Sequence, residues 1–318
     1  MANISYKFHI GIDVSKSKLD VALTEDESVL QFTNDKAGID DLIKGLPSPK
    51  DSLVILEASG GYEKFVFNLL NKSKFNVSIV NAKRVREFAK AGGKLAKTDC
   101  IDACVIRRFG QTFNPGPQAR VSKEEEQRTE MLTRRRQLVR NIALEKQQAE
   151  HASKDIKKRI EKHIRFLEEE LEWIRNKLKM LFNKDAVLKA KLEKLDKIKG
   201  VGEVTAMDIL IDMPELGTLS PKEASALAGV APFNKDSGQY KGKREIAGGR
   251  ASVRSALYMA ILTAKKFNPQ IKEFYDRLIL KGKLKKVAMV ACMRKLIIIM
   301  NAMIRDDSEW QAAETKSF

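Results

Sequence analysis

Two aspartates stand three residues apart in the segment Lys97-Thr98-Asp99-Cys100-Ile101-Asp102-Ala103. If this segment opens a helix with Thr98 as its N-cap, Asp99 and Asp102 share one helix face. Aspartate is common in a solvated first turn, beside the positive end of the helix dipole, and this explains the pair taken alone. Two neighbouring carboxylates otherwise repel each other unless a cation joins them, so the segment is also a candidate metal site.

Two more acids end short apolar runs upstream. Asp13 closes Phe8-His9-Ile10-Gly11-Ile12, and Glu57 closes Leu53-Val54-Ile55-Leu56. An acid at the end of a buried strand costs free energy unless it is paired or bound to a metal. Three elements that each bring a carboxylate to one edge of a sheet would form a divalent-cation site for phosphoryl transfer.

The charge of the chain indicates a polyanionic partner. The 318 residues carry a net charge of +17, and residues 240–300 alone contain 15 Lys and Arg against 3 Asp and Glu. A membrane surface would attract the same charge, but we find no signal-peptide pattern and no apolar run of about 18 residues. The most apolar patch, Ile297 to Met300, is too short to span a bilayer. Nucleic acid is therefore the expected partner.

Cysteine and histidine usage restricts the chemistry. The three cysteines, Cys100, Cys104 and Cys292, have no CxxC spacing and are typical of core residues in a reduced, cytoplasmic protein. The last 155 residues contain no histidine. This argues against a zinc site, and against a Ser-His or Cys-His pair drawn from the C-terminal half alone.

Residues 1 to about 113 alternate between strand-like and helical patterns. The first three apolar runs are only a few residues apart, as in an antiparallel meander, and helices intervene afterwards. Ser15-Lys16-Ser17 is predicted to form a tight turn, and Ser59-Gly60-Gly61 would let backbone approach a phosphate. By analogy of layout, we expect a ribonuclease H-like α/β sheet. The predicted strands are 8–14, 19–24, 28–33, 53–57 and 77–80, and the predicted helices are 37–45, 63–73, 83–91 and 98–112.

A long helical region follows the linker Asn114-Pro115-Gly116-Pro117. Ser122-Lys123-Glu124-Glu125 is a capping box that opens a helix to about residue 149, and a second helix runs to about Phe182. The second helix has apolar residues at heptad spacing. Both a helical hairpin within the chain and a coiled coil between protomers explain this pattern. The heptad residues are Ile156, Ile160, Ile164, Leu167, Leu171, Ile174, Leu178 and Leu181.

The C-terminal part is mainly helical and basic. Leu195 to Ala206 matches a helix-hairpin-helix element, in which Gly200 and Gly202 would present backbone N–H groups to a DNA phosphate; a plain turn between helices is the alternative. After a short helix from Ser220-Pro221 to Gly229, a glycine-punctuated loop leads to a further helix. Tyr240 could stack on a base. The basic residues expected to clamp phosphates are Lys235, Lys241, Lys243, Arg244, Arg250 and Arg254.

Asp236-Ser237-Gly238 within this loop is, by itself, an ordinary turn tripeptide. A nucleophilic role for Ser237 would need activation without histidine, by a metal or by carboxylates from elsewhere. Ser252 is a second candidate nucleophile, although helix capping would explain it. The last two helices, at about 270–280 and 284–305, are predicted to be core helices with a basic face.

Taken in order, these motifs resemble the DEDD transposases of the insertion-sequence 110 family, most closely the 1111-like subgroup. The resemblance covers essentially the whole chain, with one mild departure at Ser59, where Thr is commoner. The matching motifs are Gly11-Ile12-Asp13-Val14-Ser15-Lys16, Glu57-Ala58-Ser59-Gly60-Gly61-Tyr62, Lys97 to Ala103, and Gly229-Val230-Ala231-Pro232 through Asp236-Ser237-Gly238 to Gly249-Arg250-Ala251 and Val253-Arg254.

The resemblance implies three domains. Residues 1–114 would form a RuvC-like domain, residues 115–185 a helical coiled-coil dimerisation arm, and residues 186–318 the C-terminal transposase domain. It implies that Asp13, Glu57, Asp99 and Asp102 hold Mg²⁺ (or Mn²⁺), and that Ser237 attacks DNA to form a phosphoserine link.

It also implies partners. These are DNA at the element ends and target, a noncoding bridge RNA, and further protomers in a dimer and a tetramer in which the two catalytic domains meet across protomers. No membrane is expected, and the protein would work in the prokaryotic cytoplasm with the nucleoid.

The sequence therefore predicts a DNA transposase that cuts and rejoins strands by transesterification. A RuvC-like Mg²⁺-dependent nuclease or junction resolvase, using metal-bound water and no covalent intermediate, is the alternative enzyme. A non-catalytic nucleic-acid-binding protein is the third possibility, but it leaves the four acids unexplained as a set.

Overall fold

The computed structural model describes residues 6–24, 28–93, 99–233, 236–237, 240–241 and 244–310. The chain divides into two compact units, Met1–Val121 and Ser122–Phe318. The predicted three-domain division stays a prediction.

A five-stranded sheet forms the centre of the first unit. Its strands are β1 (Phe8–Val14), β2 (Lys18–Ala22), β3 (Val29–Thr33), β4 (Ser52–Glu57) and β5 (Asn76–Val80), in the order β3-β2-β1-β4-β5. The first three strands pair antiparallel, which confirms the predicted meander, and β4 pairs parallel to both β1 and β5. The predicted turn after β1 is closed by the Lys18 N–H, which donates to Ser15 Oγ at 3.0 Å.

Helices cover both faces of this sheet. They are α1 (Lys36–Gly45), α2 (Glu63–Lys72), α3 (Ala82–Ala91) and α4 (Asp99–Phe113). Because side chains alternate along a strand, Ile10 and Ile12 of β1 point to one face, where they share a core with α1 and α2. Leu53 and Ile55 of β4 point to the other face and pack with α3 and α4. This layout is compatible with the predicted RuvC-like domain.

The second unit begins with two long antiparallel helices, α5 (Lys123–His151) and α6 (Lys154–Lys184). Both hydrogen bonds of the predicted capping box form, between Ser122 and Glu125. The contacts are those of the predicted hairpin, since heptad residues of α6 share one core with α5. A coiled coil between protomers stays a prediction. The buried heptad residues are Ile164, Leu167, Leu171, Ile174, Leu178 and Leu181.

Six shorter helices complete this unit and belong to the same apolar core as the hairpin. They are α7 (Ala186–Asp196), α8 (Glu203–Asp212), α9 (Pro221–Leu227), α10 (Ala251–Phe267), α11 (Pro269–Leu280) and α12 (Lys285–Arg305). The segment between α9 and α10 was predicted to be a loop, and the structure shows two short pairs of antiparallel strands in it. In these, β6 (Pro232–Phe233) pairs with β9 (Glu245–Ile246), and β7 (Asp236–Ser237) pairs with β8 (Tyr240–Lys241).

The expectation that no apolar run reaches about 18 residues does not hold for α12. In the described part of the chain, α12 is the one helix that is long and apolar enough to cross a membrane, by length and composition alone. Half of its apolar stretch is buried inside the protein. The buried side chains, among them Cys292, Leu296 and Met300, belong to the core of the second unit, as expected for a core helix.

Candidate active site

Asp13 and Glu57 end neighbouring parallel strands at the same edge of the sheet. The register pairs Ile12 of β1 with Leu56 of β4, and each acid is the next residue along its strand. Alternation puts Glu57 on the face of Leu53 and Ile55, which is the face that α4 covers. The two carboxylates that the sequence predicted to be close are therefore on adjacent strands.

Gly11 brings α4 against β1 beside these acids. A Cβ at Gly11 would lie 2.3 Å from the Ala103 carbonyl oxygen and 2.4 Å from the Arg107 backbone nitrogen. Only glycine permits this approach. Asp13, two residues further on the same face, is about 7 Å along the strand, or roughly five residues along a helix. A Cβ at Gly110 would lie 3.7 Å from His9, at the other end of β1, so α4 runs antiparallel to β1. Asp13 is therefore level with the first turn of α4, which contains Asp99 and Asp102.

Glu57 and Asp102 line one cavity of about 310 Å³. Asp13 is not among the described residues that line it. Asp99 is the first residue of α4, while its side chain lies outside the described part, as does the predicted N-cap Thr98. The structure thus brings Glu57 and Asp102 together, with Asp13 on the adjacent strand.

The donor set of this cavity fits a hard divalent cation. Carboxylate oxygens are the ligands that Mg²⁺ and Mn²⁺ take, and the cavity has room for an ion with several of its waters, at about 30 Å³ each. Within the described residues, no three Asp, Glu, His or Cys side chains are grouped closely enough to hold an ion by themselves. The set would need Asp99, or water, to complete it.

Asp20 is an acid beside this site that the sequence analysis missed. It pairs with Asp13 across β1 and β2, so the two side chains share a face. Asp20 is only 8% exposed and accepts a hydrogen bond from Gln31 Nε2 at 2.9 Å. The available signal was a charged residue between Leu19 and Val21 in an apolar strand, where an acid requires a partner.

The loop after Glu57 is organised by Glu63 rather than left open. The Glu63 carboxylate accepts hydrogen bonds from the Gly61 N–H at 2.8 Å, the Ser59 Oγ at 2.9 Å and the Ser59 N–H at 3.1 Å. Burial alone would raise the pKa of Glu63, but these bonds and its own backbone N–H lower the pKa below its ordinary value. The N–H groups of Ser59 and Gly61 are therefore engaged within the loop, and its predicted approach to a phosphate stays a prediction.

Asn34 links this loop to the turn after Asp13. Its Nδ2 donates to the Ser15 carbonyl at 2.8 Å and to the Tyr62 carbonyl at 3.4 Å. The segments that follow the two strand-end acids are thus joined through one side chain, which no sequence motif had indicated.

Ser237 is the last residue of β7 and pairs with Tyr240 of β8. It lies in the second unit, whereas the four acids lie in the first. The side chains of Ser237, Tyr240 and Lys241 are not described, and Lys235 and Lys243 lie outside the described residues. Arg244 is described and exposed.

Arg250 and Arg254 hold the base of the loop that carries Ser237. The Arg250 guanidinium forms a two-pronged ion pair with Glu215, with both N–O distances at 2.7 Å, and donates to the Asp212 carbonyl at 2.9 Å. Arg254 Nη1 donates to the Gly248 carbonyl at 2.9 Å and to the Gly229 carbonyl at 3.3 Å. Both residues thus have a structural role, and their predicted DNA contacts stay predictions.

Two further sequence expectations concern helix starts. Ser252 is the second residue of α10, where Arg250 takes the N-cap position, so the capping explanation for Ser252 was wrong. Gly202 is the N-cap of α8, with open space around it, whereas Gly200 has a φ of 99° and packs against Ala264 of α10. The helix-hairpin-helix function of this turn stays a prediction.

The cysteines behave as core residues where they are described. Cys104 and Cys292 are both buried, and burial raises the pKa of the Cys292 thiol to about 11. Because a thiol nucleophile must be deprotonated, Cys292 is not a candidate for one near neutral pH.

Acids at the ends of parallel strands in the first unit, and a basic loop with a serine in the second, are features expected of an enzyme that transfers DNA strands. Comparison with known families agrees. A model of IS110-type DEDD transposases, described as "Transposase", matches residues 10–156, and a model described as "Transposase IS116/IS110/IS902 family" matches residues 192–276. The chain belongs to the insertion-sequence 110 family of transposases, whose members cut and rejoin DNA.

Individual relatives are similar along the chain. The pilin gene-inverting proteins of Moraxella lacunata and Moraxella bovis are each 29% identical over 311 residues, which are 95% of this chain and 97% of theirs. An insertion element IS110 protein of Streptomyces coelicolor is 29% identical over 121 residues, 37% of this chain and 30% of its own length.

Proposed function

We propose that the protein recombines DNA by transesterification, with Asp13, Glu57, Asp99 and Asp102 as metal-binding acids and Ser237 as the nucleophile. The observation that carries the acid assignment is the shared cavity of Glu57 and Asp102, beside the strand that ends in Asp13. Acids on a strand end and a covering helix have no packing reason to converge, whereas phosphoryl transfer requires it.

The proposed reaction conserves the phosphodiester bond energy. The Ser237 Oγ forms a bond to phosphorus while the bond to one deoxyribose oxygen breaks, and the serine proton ends on that leaving oxygen. In the second step, a hydroxyl of the new DNA partner attacks the phosphoserine, and Ser237 recovers a proton as it leaves.

The proposed role of the carboxylates is to bind a metal cation beside the reacting phosphate. Mg²⁺ or Mn²⁺, when bound, would stabilise the serine alkoxide and the charge that develops on the phosphorus oxygens. Asp13, Glu57, Asp99 and Asp102 would hold the ion, and an acid not engaged in this way could accept the serine proton. The hydrogen bond that Asn34 donates and those that the Glu63 carboxylate accepts keep the loops beside the acids in place.

Nucleic acid is the proposed partner of the C-terminal half. The loop and helices from residue 240 to 300 carry a net charge of +12 by sequence. We assign phosphate contacts to Gly200, Gly202, Lys235, Lys241, Lys243, Arg244, Arg250 and Arg254. A noncoding bridge RNA is proposed to supply the choice of DNA site by base pairing.

A homodimer is proposed to form through the α5–α6 arm. Phe166, Trp173 and Met180 of α6 stand seven residues apart and are 56, 55 and 53% exposed. Heptad spacing of exposed apolar side chains is typical of a helix that packs on a partner helix. A tetramer would arise from two such dimers.

The covalent intermediate provides the direct test. We expect purified protein, incubated with Mg²⁺, its flanking RNA and element-junction DNA, to yield a protein–DNA adduct on a denaturing gel. The adduct should be lost in Ser237→Ala, in Asp13→Ala and without Mg²⁺, and Ser252→Ala should retain it.

The alternative nuclease predicts a different pattern. Nicked DNA without an adduct, abolished by Asp13→Ala and unaffected by Ser237→Ala, would mean hydrolysis by metal-bound water. The recombinase mechanism would then be withdrawn in favour of a RuvC-like nuclease. A preparation that binds DNA but does not cleave it would favour the third possibility, a non-catalytic nucleic-acid-binding protein.

A further inference from the structure

The turn between α11 and α12 presents apolar side chains to solvent. Every residue from 280 to 287 is exposed, and we refer to this segment as the tip. Leu280 and Leu284 are 88% and 76% exposed, which makes them the two most exposed large apolar side chains in the described part of the chain. Leu280 is the last residue of α11, and Leu284 directly precedes α12.

The conformation of the tip is fixed by its backbone. The Lys283 N–H donates to the Leu278 carbonyl at 3.1 Å, and Gly282 has a φ of 72°, the left-handed conformation that commonly ends a helix. Both flanking helices are anchored in the core, since the side chains of Ile271 in α11 and Ala288 in α12 are fully buried. The two exposed leucines are therefore held by a defined turn between two packed helices.

Leu284 occupies a position where leucine does not stabilise the fold. It is the N-cap of α12, and no side-chain hydrogen bond caps this helix. Ser, Thr, Asp and Asn are preferred at an N-cap because their side chains accept from the first N–H groups, whereas leucine is among the poorest choices. Neither burial nor capping explains this leucine. Four other helices of the unit follow the preference, with Ser122, Asp185, Ser220 and Asn268 as their caps.

The charge of the tip has one sign. Lys281, Lys283, Lys285 and Lys286 lie within it, and no Asp or Glu occurs from residue 277 to 305. Lys285 and Lys286 form part of the first turn of α12, where the positive end of the helix dipole disfavours cations. The tip therefore fits a partner that is negatively charged and also offers an apolar space to the leucines.

Duplex DNA has this chemistry. Its phosphates are negative, and the space between stacked base pairs is apolar. Proteins that bind the minor groove insert Leu, Ile or Phe side chains between base pairs and kink the duplex. A-form RNA instead displays 2′-hydroxyls across a shallow minor groove, and leucine cannot hydrogen-bond to them. A symmetric contact with a second copy of the chain would place the lysines of two tips against each other.

We propose that the tip is a wedge that bends DNA. Leu280 and Leu284 enter between base pairs of the duplex from the minor groove, and the lysines of the tip contact the flanking phosphates. The insertion partly unstacks one base step and kinks the duplex there. This inference rests on the proposed function and deepens it, since it names a DNA contact of the same enzyme.

The test measures the bend directly in the full-length protein. A duplex of about 30 base pairs that contains the element junction carries donor and acceptor dyes at its ends. Energy transfer between the dyes is recorded in EDTA, so that Mg²⁺-dependent cleavage does not occur. The parent is compared with the double variant Leu280→Ser/Leu284→Ser. Val187→Ser is the matched control, because Val187 of α7 is 66% exposed and lies outside the tip.

We expect the parent to raise energy transfer and the leucine double variant to leave it near the value of free DNA. The affinity of that variant should fall by about tenfold or more, because the apolar contact is lost. Val187→Ser should bend DNA as the parent does. Equal energy transfer with the leucine double variant and with Val187→Ser would overturn the inference.

The salt dependence of binding separates the leucines from the lysines. Each phosphate contact contributes about 0.9 to the slope of log affinity against log salt for duplex DNA. The double variant Lys285→Gln/Lys286→Gln should therefore lower the slope by about 1.8, whereas the leucine double variant should keep the parent slope. A lysine double variant with the parent slope would overturn the inference.

Thermal stability separates the wedge from a structural role. Leu284→Ser supplies a capping side chain to α12, so its unfolding temperature should rise by about 2 °C while its DNA bending weakens. If Leu284 instead stabilises the fold, the variant should unfold at a lower temperature than the parent. That result would overturn the inference.

Other partners of the tip predict other outcomes. A leucine double variant that still bends DNA but no longer binds vesicles of phosphatidylserine and phosphatidylcholine would indicate a membrane contact. Lost binding of the flanking RNA alone would indicate an RNA contact, and a smaller oligomer in sedimentation would indicate an interface between protomers. Each of these results, with bending unchanged, would overturn the inference.

The two proposals fail in distinguishable ways. If no protein–DNA adduct forms with Mg²⁺, while the parent bends DNA in EDTA and the leucine double variant does not, the proposed chemistry is withdrawn and the wedge stands. If the adduct forms and the leucine double variant bends DNA as Val187→Ser does, only the wedge is withdrawn.

Discussion

Gly11 is the residue on which the geometry of the acid site most depends. It has no side chain, so the backbone of α4 comes within contact distance of β1, and this contact sets the height of Asp102 relative to Asp13. The sequence motif Gly11-Ile12-Asp13 identified the acid but gave no reason for the glycine. The reason is the approach of a helix that is about ninety residues away in sequence.

Gly11→Ala is predicted to separate α4 from β1 and to weaken metal-dependent cleavage. The added methyl would overlap the backbone of Ala103 and Arg107, and overpacking of this kind typically costs about 1–3 kcal/mol of unfolding free energy. The measurement is thermal unfolding together with the Mg²⁺ concentration needed for half-maximal cleavage.

Gly45→Ala is the matched control for this prediction. Gly45 ends α1 in the same unit and has no neighbouring atom within 4 Å of an added Cβ. Equal unfolding temperatures and equal Mg²⁺ requirements for the two variants would contradict the proposed role of Gly11.

At the level of the elements, the sequence predicted most of the fold. The helices and strands of the first unit start and end within about two residues of their predicted positions, because apolar periodicity and turn residues are local signals. The capping box at Ser122 and the helix start at Ser220-Pro221 could also be predicted from the sequence. The acids at the ends of β1 and β4 could be placed on one sheet edge for the same reason.

Contacts between residues that are far apart in the sequence could not be predicted from apolar periodicity and turn residues. The Asp13–Asp20 pairing, the link from Asn34 to Tyr62 and the cavity wall formed by α3 depend on tertiary register. The ion pair between Arg250 and Glu215 is of the same kind, since its two partners are 35 residues apart. Because Glu215 could not be recognised as its partner, Arg250 was interpreted from the sequence as a DNA contact.

The Arg250–Glu215 pair is predicted to make stability depend on pH. The hydrogen bonds from Arg250 lower the pKa of Glu215 below its ordinary value of 4.5 despite partial burial. A lowered pKa means that the stabilisation is present above pH 4.5 and is lost as the pH falls through the folded-state pKa. Allowing for solvent, since both side chains are more than a third exposed, we expect about 1 kcal/mol.

The check is the unfolding temperature of the parent and of Glu215→Gln between pH 7 and pH 3. The variant should be less stable at pH 7, and the difference should narrow toward pH 3. Glu193→Gln, which removes an exposed i,i+4 partner of Lys189, is the control and should change little. A difference between parent and Glu215→Gln that stays constant with pH would contradict the assignment.

For the molecule as a whole, the division of the proposed machinery between two units has a consequence. The four acids belong to Met1–Val121 and the serine to Ser122–Phe318. If the acids of one protomer act with the serine of another, cleavage must wait for assembly, which would guard against stray breaks in DNA.

Mixing inactive variants tests this idea. Asp13→Ala and Ser237→Ala should each be inactive alone, and a mixture should recover about a quarter of parent activity. The reason is that half of randomly assorted dimers are mixed, and each mixed dimer has one intact pairing of acids and serine. No recovery, in variants that fold and exchange subunits, would mean that each protomer uses its own residues.

The closed base of the Ser237 loop has a consequence for engineering. Gly229 and Gly249 touch backbone to backbone, and Arg254 ties the carbonyls of Gly229 and Gly248 together. The segment between them, residues 230–248, therefore begins and ends at one point of the second unit. Doubling the length of such a loop costs only about 0.6 kcal/mol in closure entropy. This segment is thus a natural cassette, which could be exchanged between related recombinases with its two glycines and Arg254 kept as the graft boundary.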